Sequence, residues 1–240
     1  VAGGAYVALS GLRTRLEQLD RIAADIANAA TAGYKTERVP TVAAERPDFG
    51  QVLQTAIDVA AAPGLVDFRD GSVTATGREL DVALQGRGFF EVETPAGPRY
   101  TRNGQFSRRV DGVLVTADGM VVRGEQGAIT LGDEAVVFEP DGTVRAGGAV
   151  VGKLRIVDFG DYVGLRREDA GRFRADAGVT PAAAPAARVR GGTLEGSNVS
   201  LPERMVHMTE VARAFEGLQK GILTLMNDID GRAINELGRR

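Results

Sequence analysis

The stretch Leu80-Asp-Val-Ala-Leu-Gln-Gly-Arg-Gly-Phe-Phe-Glu-Val-Glu93 sets the reading of the chain. Two short apolar runs flank Gly86-Arg87-Gly88. In the second run Phe90 and Val92 alternate with Glu91 and Glu93, the two-residue period of a strand. Gly86-Arg-Gly88 lacks the third glycine and following helix of a dinucleotide turn, so it reads as a hairpin turn. Working outward, the same period holds over residues 71–159. Val113-Leu-Val115, Ala135-Val-Val-Phe138 and Lys153-Leu-Arg-Ile-Val157 are further short strands. Asp111-Gly112, Asp118-Gly119 and Asp141-Gly142 are turn dipeptides between them. Strands this short at this spacing predict a compact antiparallel β domain. Residues 179–187 are rich in Ala and Pro and read as a loop or hinge.

Both ends of the chain change period. Over residues 4–30 the apolar positions Ala5, Leu9, Leu12, Leu16, Leu19, Ala23, Ile26 and Ala30 alternate spacings of four and three, a heptad seam. Arg13, Glu17, Asp20, Arg21 and Asp25 lie off the seam, with Glu17 and Arg21 spaced to pair. Gly33 suits a left-handed C-terminal cap. Near the other end, Ser200-Leu-Pro-Glu203 has the form of a capping box. Met205, Met208, Ala212, Phe215, Ile222, Met226, Ile229 and Ala233 follow at helical spacing, widened by Val211, Leu218 and Leu225. Residues 36–70, punctuated by Pro40, Pro47 and Pro63, read as an extended connector in which 52–62 could be a short helix or a strand.

The expected fold class is α+β: long N- and C-terminal helices forming a coiled-coil-like layer, with a central antiparallel β domain. Its expected parts are residues 1–35 (N-terminal helix), 36–70 (connector), 71–195 (β-rich outer domain) and 196–240 (C-terminal helix). One amphipathic helix cannot bury its stripe alone. Either both helices cover the β domain within one molecule, or they pack against other copies. A repeated head-to-tail contact that does not close builds a helical filament.

Bulk composition excludes several functions. With 29 Lys and Arg against 32 Asp and Glu in 240 residues, the net charge of −3 gives no footprint for nucleic acid. Without cysteine there are no disulfides or thiolate metal sites. No stretch approaches the ~18 apolar residues of a membrane span, and no basic region with an apolar core marks a cleavable secretory signal. His207, the sole histidine, has no evident partners for metal binding or nucleophilic catalysis. Asp158-Phe-Gly160 stands without a catalytic or phosphate loop. Asn198-Val-Ser200, in form a glycosylation acceptor, sits at a helix start where capping accounts for it. Glu91 and Glu93 are the one carboxylate pair that could serve glycoside hydrolysis, against the simpler reading of a solvated strand face. The expectation is therefore no catalytic residue, no cofactor and no metal. A peptidoglycan-active enzyme or glycan-binding module is the alternative of another class.

Several collinear motifs carry a resemblance. The N-terminal part has Ser10-Gly11-Leu12, Leu19, Ile22-Ala23, Ile26-Ala27-Asn28, Thr31 and Gly33-Tyr34-Lys35. The middle has Leu80-Asp-Val-Ala-Leu84, Gly86-Arg-Gly-Phe-Phe90 and Tyr100-Thr-Arg102-Asn103-Gly104-x-Phe106. The C-terminal part has Leu194-Glu195-Gly196-Ser197-Asn198-Val199, then Glu203, Met205, Met208, Arg213, Phe215 and Glu216. Together they resemble the flagellar axial family, the rod, hook and related proteins of the bacterial flagellum. The short segment after the first helix is most similar to proximal rod members, with a distal rod or hook subunit as the near alternative. Ala24-Asp25 departs from the family's frequent paired asparagines. The resemblance implies a torque-transmitting structural subunit of the periplasmic basal-body rod, assembled helically around the export channel. It also implies type III export without a cleaved signal. The implied partners are copies of the same chain, neighbouring rod proteins and the export apparatus. The expected subunit-packing residues are Leu9, Leu12, Leu16, Leu19, Ile26, Met205, Met208, Phe215, Leu218, Ile222 and Ile229.

Overall fold

A computed structural model of the chain describes residues 2–38, 65–169 and 171–237. They fall into two compact units. Helices α1 (Ala2–Ala27) and α2 (Leu201–Leu237) belong to one; Asn28–Arg38 with Leu65–Val199 form the other.

The larger unit is built of short strands, every pair antiparallel. Its principal sheet runs in the order Leu165–Arg167, Arg172–Ala175, Gly97–Thr101, Phe89–Thr94, Val121–Gly124, Leu114–Thr116, Phe106–Arg108. The central strand Phe89–Thr94 has apolar side chains on both faces. Phe90 and Val92 enter one core with Phe106, Leu114, Val122, Phe138, Val144 and Leu154. Phe89 enters a second core with Tyr100, Val157, Phe159, Leu165 and Phe173. Successive side chains of a strand point to opposite faces, so Phe89-Phe90 supplies both cores at once.

The three Asp-Gly dipeptides close hairpins by one repeated geometry. The Arg109 amide donates to the Val113 carbonyl and the Gly112 amide to that of Arg109. Thr116, Gly119 and Met120 repeat the pattern, as do Glu139, Gly142 and Thr143. Gly112, Gly119 and Gly142 take φ of +85°, +84° and +87°, the left-handed residue that ends a three-residue hairpin loop. Beside the first, the Arg109 guanidinium holds the Asp111 carboxyl down to about 2, against an ordinary 3.8.

Several expectations are corrected here. Gly86-Arg87-Gly88 is not a hairpin turn. The strand before it, Val82–Gln85, pairs with Arg188–Gly191, whereas Phe89–Thr94 pairs with other strands, so the glycines carry the chain from one sheet to another. Lys153-Leu-Arg-Ile-Val157 is not one strand: Ala149–Lys153 lies in a three-stranded sheet and Ile156–Asp158 in the principal one. The Ala/Pro stretch 179–187 contains a paired strand, Ala182–Ala183, and buries Ala187. At the limits of the 36–70 connector, Glu37–Arg38 pairs with Leu65–Val66; residues 52–62 lie outside the described residues.

The expected fold class is itself corrected. The described residues hold nineteen strands and two helices, so the architecture is sheet-rich, and no coiled-coil layer is present among them. The reason lies in the side chains. Interlocked seams need alternate apolar positions to be dry, yet Leu16 is 48% exposed, Met205 58% and Met208 38%. Among the helix residues whose side chains are described, the buried ones are Ile22, Asp25 and Val211. None belongs to the expected seam of α1, and Val211 is only a flanking position in α2.

Candidate functional site

The motifs that carried the resemblance meet at one buried junction of the β unit. Gly33 adopts φ +68° and its amide donates to the Glu195 carbonyl at 2.8 Å. Because α1 ends at Ala27, Gly33 is not its cap as expected. A Cβ there would run into the backbone of Arg102 and Asn103, so glycine serves a close chain approach.

Lys35 is fully buried. Its Nζ donates to Glu195 Oε1 at 2.5 Å and to the Arg69 carbonyl at 2.8 Å. Burial pushes the Lys35 ammonium below the ordinary lysine value; the Glu195 carboxylate raises it and Arg102 lowers it further. Arg102 is 1% exposed. Its Nη1 lies 3.3 Å from Glu195 Oε2 and 3.6 Å from Asp70 Oδ1. Its Nη2 donates to the Gly86 carbonyl at 2.7 Å, and the guanidinium stands 5.4 Å above the Phe89 ring. The Gly71 amide donates to Glu195 Oε1 at 3.0 Å. Two cations thus face two carboxylates, the arrangement that makes buried charge tolerable.

Asn198 adds neutral cross-links. Its Oδ1 accepts from the Thr36 amide at 2.8 Å and its Nδ2 donates to the Asp67 carbonyl at 2.7 Å. Capping is therefore not its role. Helix α2 starts beyond it, with the Arg204 amide on the Ser200 carbonyl. Tyr34 is clamped by Arg167, which donates to its hydroxyl at 2.6 Å, lies 4.5 Å over its ring and also donates to the Lys35 carbonyl.

In the helical unit, α1 and α2 pack together, with Leu218 reaching towards the backbone of Gly11. Leu12, Leu19, Ile26, Phe215, Leu218 and Ile222 are half-buried. Leu16, Met205 and Met208 are exposed, joined by Leu201, Val206 and Leu223. The side chains of Leu9 and Ile229 lie outside the described residues. Asp25, which lies off the expected seam, is buried, and its carboxylate is 3.2 Å from Arg204 of α2. Glu17 pairs with Arg13 at 3.1 Å in place of Arg21.

The carboxylate pair is also redrawn. Glu91 is not on a solvated face: it is 3% exposed, and Arg123 and Arg155 each donate to one of its oxygens, at 3.2 and 2.8 Å. Glu93 is exposed. His207 is exposed, 3.5 Å from Glu210. Among the described residues no group of three or more His, Asp or Glu could hold a metal ion, and no helix is long and apolar enough to cross a membrane.

Two family descriptions match, "Flagellar hook protein FlgE/F/G D1 domain" over residues 83–150 and "Flagellar basal body rod FlgEFG protein C-terminal" over 190–236. The chain is 35% identical to the flagellar basal-body rod protein FlgF of Salmonella typhimurium, over 95% of each chain. The chain belongs to the flagellar basal-body rod protein family. Other members are similar to it over comparable lengths. FlgF of Caulobacter vibrioides is 31% identical over 98% of this chain and 97% of its own, and FlgG of Bacillus subtilis is 30% identical over 96% and 97%. The D1 match spans the central strands, and the C-terminal match takes in Glu195, Asn198 and most of α2.

Proposed function

We propose that this chain is a structural subunit of the flagellar basal-body rod that acts by packing rather than by catalysis. Its helices would pack against copies of itself and neighbouring rod proteins, after delivery through the type III export apparatus. The carrying observation is the apolar surface left on the helices. Leu16 of α1 and Leu201, Met205, Val206, Met208 and Leu223 of α2 are all more than a third exposed. Burying such a side chain stabilises by roughly 1.5–3 kcal/mol. A few per contact, repeated along an assembly, resist the sliding that torque would impose. The FlgF relatives across nearly the whole length support a place in the rod over one in the hook. The wall-active alternative is disfavoured by Glu91, whose two oxygens are occupied by arginines.

Replacing Leu16 or Met205 by Asp tests the reading. Both side chains are exposed in the single chain, so the variants should keep the parent's melting temperature while swimming motility and recovery of the protein in purified basal bodies are lost. Full motility in both variants would refute it.

A further inference from the structure

Three stretches far apart in sequence, 33–36, 67–71 and 195–198, meet at the buried junction, and each depends on the others for partners. Glu195, in the third, serves both of the others and Arg102 besides. Its carbonyl takes the Gly33 amide, and its carboxylate takes Lys35, Gly71 and Arg102. Asn198 returns the exchange, its side chain on the Thr36 amide and its own amide on the Tyr34 carbonyl. The backbones touch as well. A Cβ on Gly71 would collide with the Gly196 carbonyl, and one on Gly33 with the backbone of Arg102.

We propose that this junction is a two-ended lock: the flank that continues into α1 and the flank that continues into α2 dock on the sheet together and release together. Withdrawing 33–36 alone would leave Glu195 without Lys35 and strip Asn198 of the Thr36 amide. Withdrawing 195–198 alone would leave Lys35 and Arg102 without the carboxylate they share. Either half-open state exposes unpaired polar groups in a site shaped to exclude water, which costs more than opening both sides. The cost is steep because Lys35 and Glu195 have no solvent contact to fall back on. The two ends of the chain are thereby coupled: neither flank is firmly held until the other has arrived.

Hydrogen exchange of the full chain, read by mass spectrometry at single-amide resolution, tests this. The reporters are the amides of Gly33 and Thr36 on one flank and of Gly196 and Asn198 on the other. Leu114 and Thr116 in the hairpins are the controls, since their amides bond Ile129 and Met120. Lys35→Met should speed exchange at Gly196, and Glu195→Gln should speed it at Thr36, each by about a hundredfold or more, the effect of a buried ion pair deprived of one partner. Asn198→Ala is the milder variant and should also speed Gly33, which bonds Glu195 and not Asn198. Leu114 and Thr116 report opening of the whole sheet and should exchange more slowly than the flank reporters in the parent and in every variant. Acceleration confined to the flank that carries the substitution would overturn the proposal. So would flank reporters that exchange no faster than Leu114 and Thr116 in the parent and all three variants, because the flanks would then open only with the whole sheet.

Discussion

Lys35 is held in a site that disfavours its charge, and that has a consequence for stability across pH. Burial lowers its affinity for a proton more than Glu195 raises it, so the folded chain binds that proton less tightly than the unfolded chain does. Between the lowered value and the ordinary 10.5, the unfolded state carries more protons at this residue. Stability contributed by Lys35 therefore rises with pH through that window. Tyr100 and Tyr162 act in the opposite sense. Burial raises both phenols above their ordinary value, so the folded state keeps their protons longer and loses stability as pH rises past 10.0. Urea unfolding of the parent and of Lys35→Met, compared from pH 7 to 10, separates the two effects. At pH 7 the variant should be less stable by about 3–5 kcal/mol, because Glu195 is left buried beside a single cation. The gap should widen with pH, since only the parent gains from Lys35. A gap that narrows would contradict the assigned direction.

The hairpin turns show how far an element can be read from its residues. Asp-Gly at 111–112, 118–119 and 141–142 gave the turn positions, and each glycine takes the left-handed conformation such a turn needs. Their surroundings differ, which sets unequal costs for the same substitution. At Gly119 a Cβ meets nothing within 4 Å, so Gly119→Ala should cost only the left-handed strain, about 1–2 kcal/mol. At Gly112 a Cβ would stand 2.7 Å from the Leu131 carbonyl oxygen, so Gly112→Ala should cost about 1–3 kcal/mol more. Thermal melts of the two variants give the difference directly; equal shifts would contradict it. Less of the remaining sheet was legible. Gly97–Thr101 buries Arg99, Tyr100 and Thr101 in succession, and Arg172–Ala175 buries Phe173 alone, so neither shows a clean alternation. The Lys35–Glu195 pair spans 160 positions and leaves no local period at all. Its residues were visible as motifs, but nothing in their spacing said that they touch. On α1, Leu12, Leu19 and Ile26 fit a stripe bounded by either Leu16 and Ala23 or Ile22. The heptad could not tell which edge turns inward, and it is Ile22 that is buried.

At the scale of the whole molecule, the β unit contains everything its own closure requires. Lys35, Arg102 and Glu195, both apolar cores and the Asn198 cross-links lie within Asn28–Arg38 and Leu65–Val199. A fragment of residues 28–199 should therefore fold without either helix and unfold in one cooperative transition. Shortening it to 39–199 removes Lys35, Tyr34 and the Gly33 amide while leaving both cores untouched. Glu195 would then retain Arg102 and Gly71 but lose its nearest cation. A loss of about 3–5 kcal/mol, at roughly 2–4 °C per kcal/mol for a unit of this size, lowers the melting temperature by about 6–20 °C. Circular dichroism melts of the two fragments measure this. Equal melting temperatures would mean that the N-terminal flank adds nothing to the sheet, and the junction would be a consequence of the fold instead of one of its supports. A single transition for 28–199 with a clear drop for 39–199 would place part of the sheet's stability in the flank that carries Lys35, whose partner Glu195 lies 160 positions away. The chain would then have a folded body that is complete without either helix.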